Sequence, residues 1–184
     1  MNFRAYCDEL SRIYSAEGFA LKPRPGAGEA ALDHAEAKLG IRLAEDLRGA
    51  WLHADGAIEG CPVFVRPGYF SAYTFLSIEQ ALEAREGLRR RSPRYEGFVE
   101  RRSRDPRILS GWYQEGWLPF ASFGGATMLL MQDNSPSPSG QRGQIIAFAH
   151  DPDAIDYVAP CFAALLAASI KAIADDPGEF FVAL

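Results

Sequence analysis

Two short stretches, residues 127–131 and 144–148, are apolar at successive positions rather than at alternate ones. Strands of that kind are buried on both faces, so the chain must supply a sheet and cover for two sides of it. The cover is visible upstream. Phe3, Tyr6, Leu10, Ile13 and Tyr14 fall on one face of a first helix that Gly18 ends. A second helix carries Ala31, Leu32, Ala35 and Leu39 inward and stops at Gly40, where a left-handed residue is expected. Leu43, Leu47, Ala50, Trp51 and Ala54 form the stripe of a third, with Glu45 and Asp46 at its positive end and Asp55-Gly56 closing it.

Residues 63–65 and 69–75, separated by Pro67-Gly68, read as paired strands. Ser77 with Gln80 three positions on is a capping-box signature for a helix bearing Ile78, Leu82 and Leu88. Residues 92–116, with Pro93, Gly97, Pro106 and Gly111, lack periodicity and read as a surface excursion with a helical turn or two. Residues 117–120, 127–131 and 144–148 are three further strands, the last two joined by a Pro-rich loop over 133–140. Phe162, Leu165, Leu166, Ser169, Ile170 and Ile173 make the inner face of a closing helix. Runs of strands separated from runs of helices predict an α+β fold, a single mostly antiparallel sheet flanked by helices.

Charge is distributed unevenly over the 184 residues, whose formal net charge is −5. Residues 85–107 carry nine basic and four acidic side chains, whereas residues 108–184 carry two basic and eight acidic ones. The arginines, Arg85, Arg89, Arg90 and Arg91 among them, suit a solvated helix end as well as a contact for an acidic partner. Acidic flanks on both sides disfavour a long phosphate backbone, so a nucleic-acid partner is not expected. No apolar run approaches the roughly 18 residues of a membrane span, and residues 1–9 lack the apolar stretch of a secretory signal. The expectation is a cytoplasmic protein without a membrane partner.

Motifs for chemistry are weak. Cys7, Cys61 and Cys161 are far apart, and the histidines are His34, His53 and His150, which disfavours a zinc centre. Gly26-Ala27-Gly28-Glu29-Ala30-Ala31 has the glycine spacing of a dinucleotide loop, yet Lys22-Pro23-Arg24-Pro25 precedes it where a strand is needed. Asp151, Asp153 and Asp156 lack the glycine and final glutamate of a calcium loop and read as a turn leading into the closing helix. Trp51, Trp117, Phe120, Phe123 and Phe148 suit a core. Trp112 and Tyr113 stand in the irregular segment, where large aromatics mark contact surfaces.

Three stretches together resemble a known family. They are Glu36, Leu39-Gly40-Ile41, Leu43-Ala44-Glu45-Asp46-Leu47-Arg48, Trp51 and Asp55-Gly56; then Trp117-Leu118-Pro119-Phe120-Ala121 with Gly124-Gly125; then Asp133, Pro136, Gly143-Gln144-Ile145-Ile146 and His150-Asp151. In this order they resemble the Smi/Knr branch of the SUKH superfamily, which includes yeast cell-wall-synthesis regulators and bacterial immunity proteins. Ala44 replaces the family's helix-starting proline, and Gln132 and Asn134 flank Asp133 where apolar residues are usual. On the resemblance, residues 29–184 form the family domain with a basic excursion at 85–107, and residues 1–28 add a helix and Pro/Gly connector. It implies no catalysis, no cofactor and no metal, and a cognate toxin or other protein partner bound directly. The expected contacts are Asp55 and Glu59, Arg89, Arg90 and Arg91 of the arm, Trp112 and Tyr113, and Asp133. A regulatory scaffold is the second reading, and a small-ligand pocket or enzyme site near Trp117 and Asp133 the third.

Overall fold

The computed structural model describes residues 1–69, 71–99, 103–125, 127–150 and 153–181. Three helices open the chain: α1 (Phe3–Ala16), α2 (Glu29–Leu39) and α3 (Glu45–His53). Strands β1 (Pro62–Val65) and β2 (Ala72–Phe75) lead to α4 (Ile78–Arg91) and a 3-10 turn (Ser92–Tyr95). After the arm come β3 (Trp117–Phe123), β4 (Met128–Asp133), β5 (Gln144–Ala149) and β6 (Ala154–Ala159), then α5 (Phe162–Asp175) and the short α6 (Pro177–Phe181). The six strands form one sheet in chain order, every neighbouring pair antiparallel. The fold is α+β, as the order of elements predicts.

Local signals explain most boundaries. Asn2 accepts from the Ala5 amide at the start of α1, and Ser77 and Gln80 complete a reciprocal capping box on α4. Gly40 ends α2 at φ +67, a conformation that costs an L side chain but not glycine. One departure from expectation stands out. The segment holding Asp153 and Asp156 is not a turn into α5: Asp156 lies within the sixth strand, pairing with Ala147 of β5. Its carboxylate is accommodated because Arg66, just beyond β1, reaches it at 2.8 Å. Asp151, the third residue of that sequence cluster, lies outside the described residues, as do Phe70 of the expected 69–75 strand and residues 100–102 of the arm.

The sheet is covered on both faces, but by different means. On the inner face Leu118, Phe120, Leu130, Ile145 and Ala147 join Phe3, Tyr6, Trp51, Phe64, Phe75 and Phe162 in one core under α1, α3 and α5. On the outer face Trp117, Leu129, Met131, Ile146, Phe148 and Ile155 meet Leu88 of α4 and Ile108 and Trp112 of the arm. Ile108 and Trp112 thus anchor the segment after α4 to the sheet, while its described residues over 92–107 are all at least partly exposed. Trp112 is 3% exposed, stacked on Tyr95 at 4.0 Å between ring centroids and edge-on to Phe148 at 5.4 Å. Such pairs add about 0.5–1.5 kcal/mol to the burial itself.

One buried residue works against the core. Gln132 shares the inner face with its cross-strand partners Leu118 and Ile145, is fully buried, and neither amide atom has a hydrogen-bond partner among the described residues. Leaving such a group unpaired costs about 1–3 kcal/mol. Gln132→Leu is expected to raise stability by about 1–2 kcal/mol and the melting temperature by about 3–6 °C for a domain of this size. Calorimetry of the two proteins checks this, and an unchanged or lower melting temperature is the contrary result.

Candidate functional site

The last turn of α3 builds a junction with the start of α4. Trp51 is fully buried, stacks on Phe75, and its Nε1 donates to the Leu76 carbonyl at 2.9 Å. Asp55 Oδ1 accepts from the Ile78 amide at 2.8 Å, satisfying a helix-end donor that the Ser77 cap leaves free. Gly56 holds φ +83, and a Cβ there would lie 2.6 Å from the Ser77 nitrogen. The Ala57 amide then donates to the Phe75 carbonyl at 2.9 Å. Asp55 is thus engaged as a helix cap, and the chain it anchors leads to exposed Glu59.

Past this junction the outer face of the sheet opens. Its floor is the cross-strand row Pro62, Thr74 and Ser122 of β1, β2 and β3, together with Ala72. Arg24 and Glu59 form one rim and Phe123, Gly124 and Gly125 the other, around a groove of about 550 Å³. The arm covers the rest of this face but stops short of the floor. Arg24, Thr74 and Ser122 were not expected as site residues. Thr74 and Ser122 could have been found by carrying the two-residue strand period onward to the small polar positions beside Phe75 and Ala121.

The other expected residues lie elsewhere. Arg89 is held by Glu86 at 2.7 and 2.8 Å, while Arg90 is exposed and makes no hydrogen bond or ion pair among the described residues. Arg91 bonds the Gly87 carbonyl and lies 5.6 Å from the Trp112 ring. Tyr113 donates to Glu115, which also receives Arg85 at 2.7 Å; burial pushes the Tyr113 hydroxyl up to about 12. These four residues therefore gather at the end of α4, with Trp112 beneath them as packing instead of contact. Asp133 is apart from both groups, fully buried at the end of β4. Its carboxylate accepts from the Ser135 amide and the Gln144 side chain, both at 2.9 Å, and burial raises its pKa in spite of those bonds. Burial removes Trp112 and Asp133 from any direct contact in this fold.

A family model matches residues 26–168, a span that takes in the junction and both rims of the groove except Arg24. The chain belongs to the SMI1/KNR4 family (SUKH-1). No curated protein matches the chain. In this SUKH-1 domain Trp51, Asp55 and Gly56 thus have structural tasks, and the exposed surface beside them is the groove. The Gly26-Ala27-Gly28 segment falls at the first matched residues, and its Ala27 amide donates to the Trp51 carbonyl at 2.8 Å. Among the described residues no group of three or more His, Cys, Asp or Glu could hold a metal ion, and no helix is long and apolar enough to cross a membrane.

Proposed function

We propose that this chain is a non-catalytic, cytoplasmic protein-binding domain of the immunity type, which neutralises a cognate toxin by binding it one to one and occluding its working surface. The observation that carries the reading is the uncovered outer face of β1–β3, a groove with a rigid floor of paired strands and Glu59 on its rim. Rigid, partly concave surfaces lose little entropy on binding. A net charge of −5 also steers a basic partner toward the domain and raises its association rate. Membership of SUKH-1, a family of interaction domains, supports a protein rather than a small molecule as the occupant.

The test is recovery of the tagged protein from its native cells grown beside competitors. A stoichiometric basic effector domain is the expected find. Assorted regulatory proteins in its place would favour the scaffold reading, and a bound small molecule would favour a ligand site. With the partner in hand, Glu59→Lys is expected to slow association about tenfold at low salt, an effect that shrinks as salt is raised. Salt-independent binding, or a Glu59→Lys protein that binds as well as wild type, would remove the groove from the interface.

A further inference from the structure

We propose that the slot between the end of β1 and the α5–α6 corner receives a long cationic side chain, lysine or arginine, from a partner protein. The slot encloses about 160 Å³. Of the residues that line it, Val65, Ile173 and Phe180 are buried and make an apolar floor, whereas Tyr69, Asp176 and Glu179 are exposed and make the rim. An apolar space of this order takes a group the size of benzene, and the flexible four-carbon stem of lysine is no bulkier. Long cationic side chains bind in this manner, with the stem on apolar surface and the charged head kept in water at the edge.

The rim selects the charge. Neither Asp176 nor Glu179 makes an ion pair among the described residues. Asp176 Oδ1 accepts from the Glu179 amide at 3.2 Å, a bond that orients the carboxylate and leaves its charge unmatched. The only basic residues over 62–75 and 162–181 are Arg66 and Lys171, and both are already taken, Arg66 by Asp156 at 2.8 Å and Lys171 by Asp175. Tyr69 shows that the site tolerates a cation: the Arg66 guanidinium lies 3.7 Å from its ring centroid, and the residue is still 47% exposed. A neutral side chain would fill the floor and leave two carboxylates beside it unpaired and partly stripped of water, a cost that a cation avoids. The slot shares no lining residue with the groove over β1–β3, so the inference rests on the proposed function only in taking a protein as the partner.

The experiment titrates the isotope-labelled full chain with blocked tripeptides that carry, between two glycines, lysine, its neutral analogue norleucine, or glutamate. Methyl and amide shifts of Val65, Ala172 and Ile173 report on the slot. The expected result is saturable shifts there, with the lysine peptide bound about threefold or more tighter than the norleucine peptide and the glutamate peptide weaker than both. The double variant Asp176→Asn/Glu179→Gln is expected to bind lysine no better than norleucine, and Ala172→Leu, which fills the slot, to bind neither. Thermal melting checks that both variants fold, and the double variant, which keeps side-chain volume, decides alone if Ala172→Leu does not. Equal binding of lysine and norleucine, shifts only outside the slot, no shift at all, a double variant that still prefers lysine, or self-association of the free chain through the slot would each overturn the proposal. The peptides probe the slot without any toxin, so its failure is distinct from a failure of the groove.

Discussion

Gly26→Ala is expected to destabilise the fold by about 3 kcal/mol or more, whereas Gly28→Ala, two residues on, is expected to change it by less than about 0.5 kcal/mol. A Cβ at position 26 would sit 1.9 Å from the Leu52 carbonyl oxygen and 2.8 Å from its carbon. Both are backbone atoms of the last turn of α3, so no side chain can swing aside to make room. The closeness is a product of the connector's hydrogen bonds to that helix end. Ala27 donates to the Trp51 carbonyl at 2.8 Å, Asp55 donates to the Pro25 carbonyl at 3.0 Å, and Arg24 donates to the Gly56 carbonyl at 2.9 Å. At Gly28, by contrast, a Cβ meets nothing within 4 Å and φ is −74, open to any residue. Urea unfolding followed by tryptophan fluorescence measures both variants. Equal losses at the two positions would mean that the glycines act through the flexibility of the unfolded chain and not through close approach.

Trp51→Ala is expected to cost about 3–5 kcal/mol, enough to leave a domain of ordinary stability largely unfolded at 37 °C. Its indole is fully buried, stacks on Phe75 at 6.0 Å, and holds the Leu76 carbonyl at the point where β2 gives way to α4. Trp51→Phe separates the two contributions. It keeps most of the packing, leaves the carbonyl unpaired, and is expected to cost about 1–3 kcal/mol. Asp55→Ala removes the neighbouring bond to the Ile78 amide, so the double variant Trp51→Phe/Asp55→Ala should lose less than the sum of the single losses by at least about 0.5 kcal/mol. Strict additivity in denaturant melts would show that the two side chains support α4 separately.

Helices α1 to α5, though not the short α6, were readable because their apolar residues recur at helical spacing and their ends carry recognisable chemistry, Ser77 with Gln80 being the clearest case. β4 and β5 were readable for the opposite reason, an apolar run too short for a helix. β6 was hidden because Asp156 looks like a turn residue, and the Arg66 that accommodates it is 90 positions away. The packing role of the arm was hidden as well. Nothing in residues 92–116 repeats, and only the three-dimensional stack of Tyr95 on Trp112 shows which part of the segment packs on the sheet. The same limit applied to function. Asp55 had a structural and a functional reading from sequence and Asp133 a functional one, and the structure employs both in hydrogen bonds within the fold. The groove floor of Ala72, Thr74 and Ser122 consists of small residues that carry no chemical signature, so its openness emerges only from which part of the sheet the arm leaves bare.

Tyr14 donates to the Pro62 carbonyl, Tyr6 to the Val63 carbonyl, and Ser169 Oγ accepts from the Val65 amide, and this seal along the edge of β1 sets a timetable. Each strand can zip onto the one before it as the chain is made, since order in the sheet follows order in synthesis. The Val65 amide, however, waits for Ser169, which lies 104 positions later. At about 5–20 residues per second, that edge lacks its last closing bond for roughly 5–20 s on the ribosome. In that window α1 alone shields it, through Tyr6 and Tyr14, which are made before the strand they protect. A nascent chain lacking those two hydroxyls would meet its neighbours on the polysome with an adhesive edge, and its yield of soluble protein would fall further than the stability of the finished fold implies.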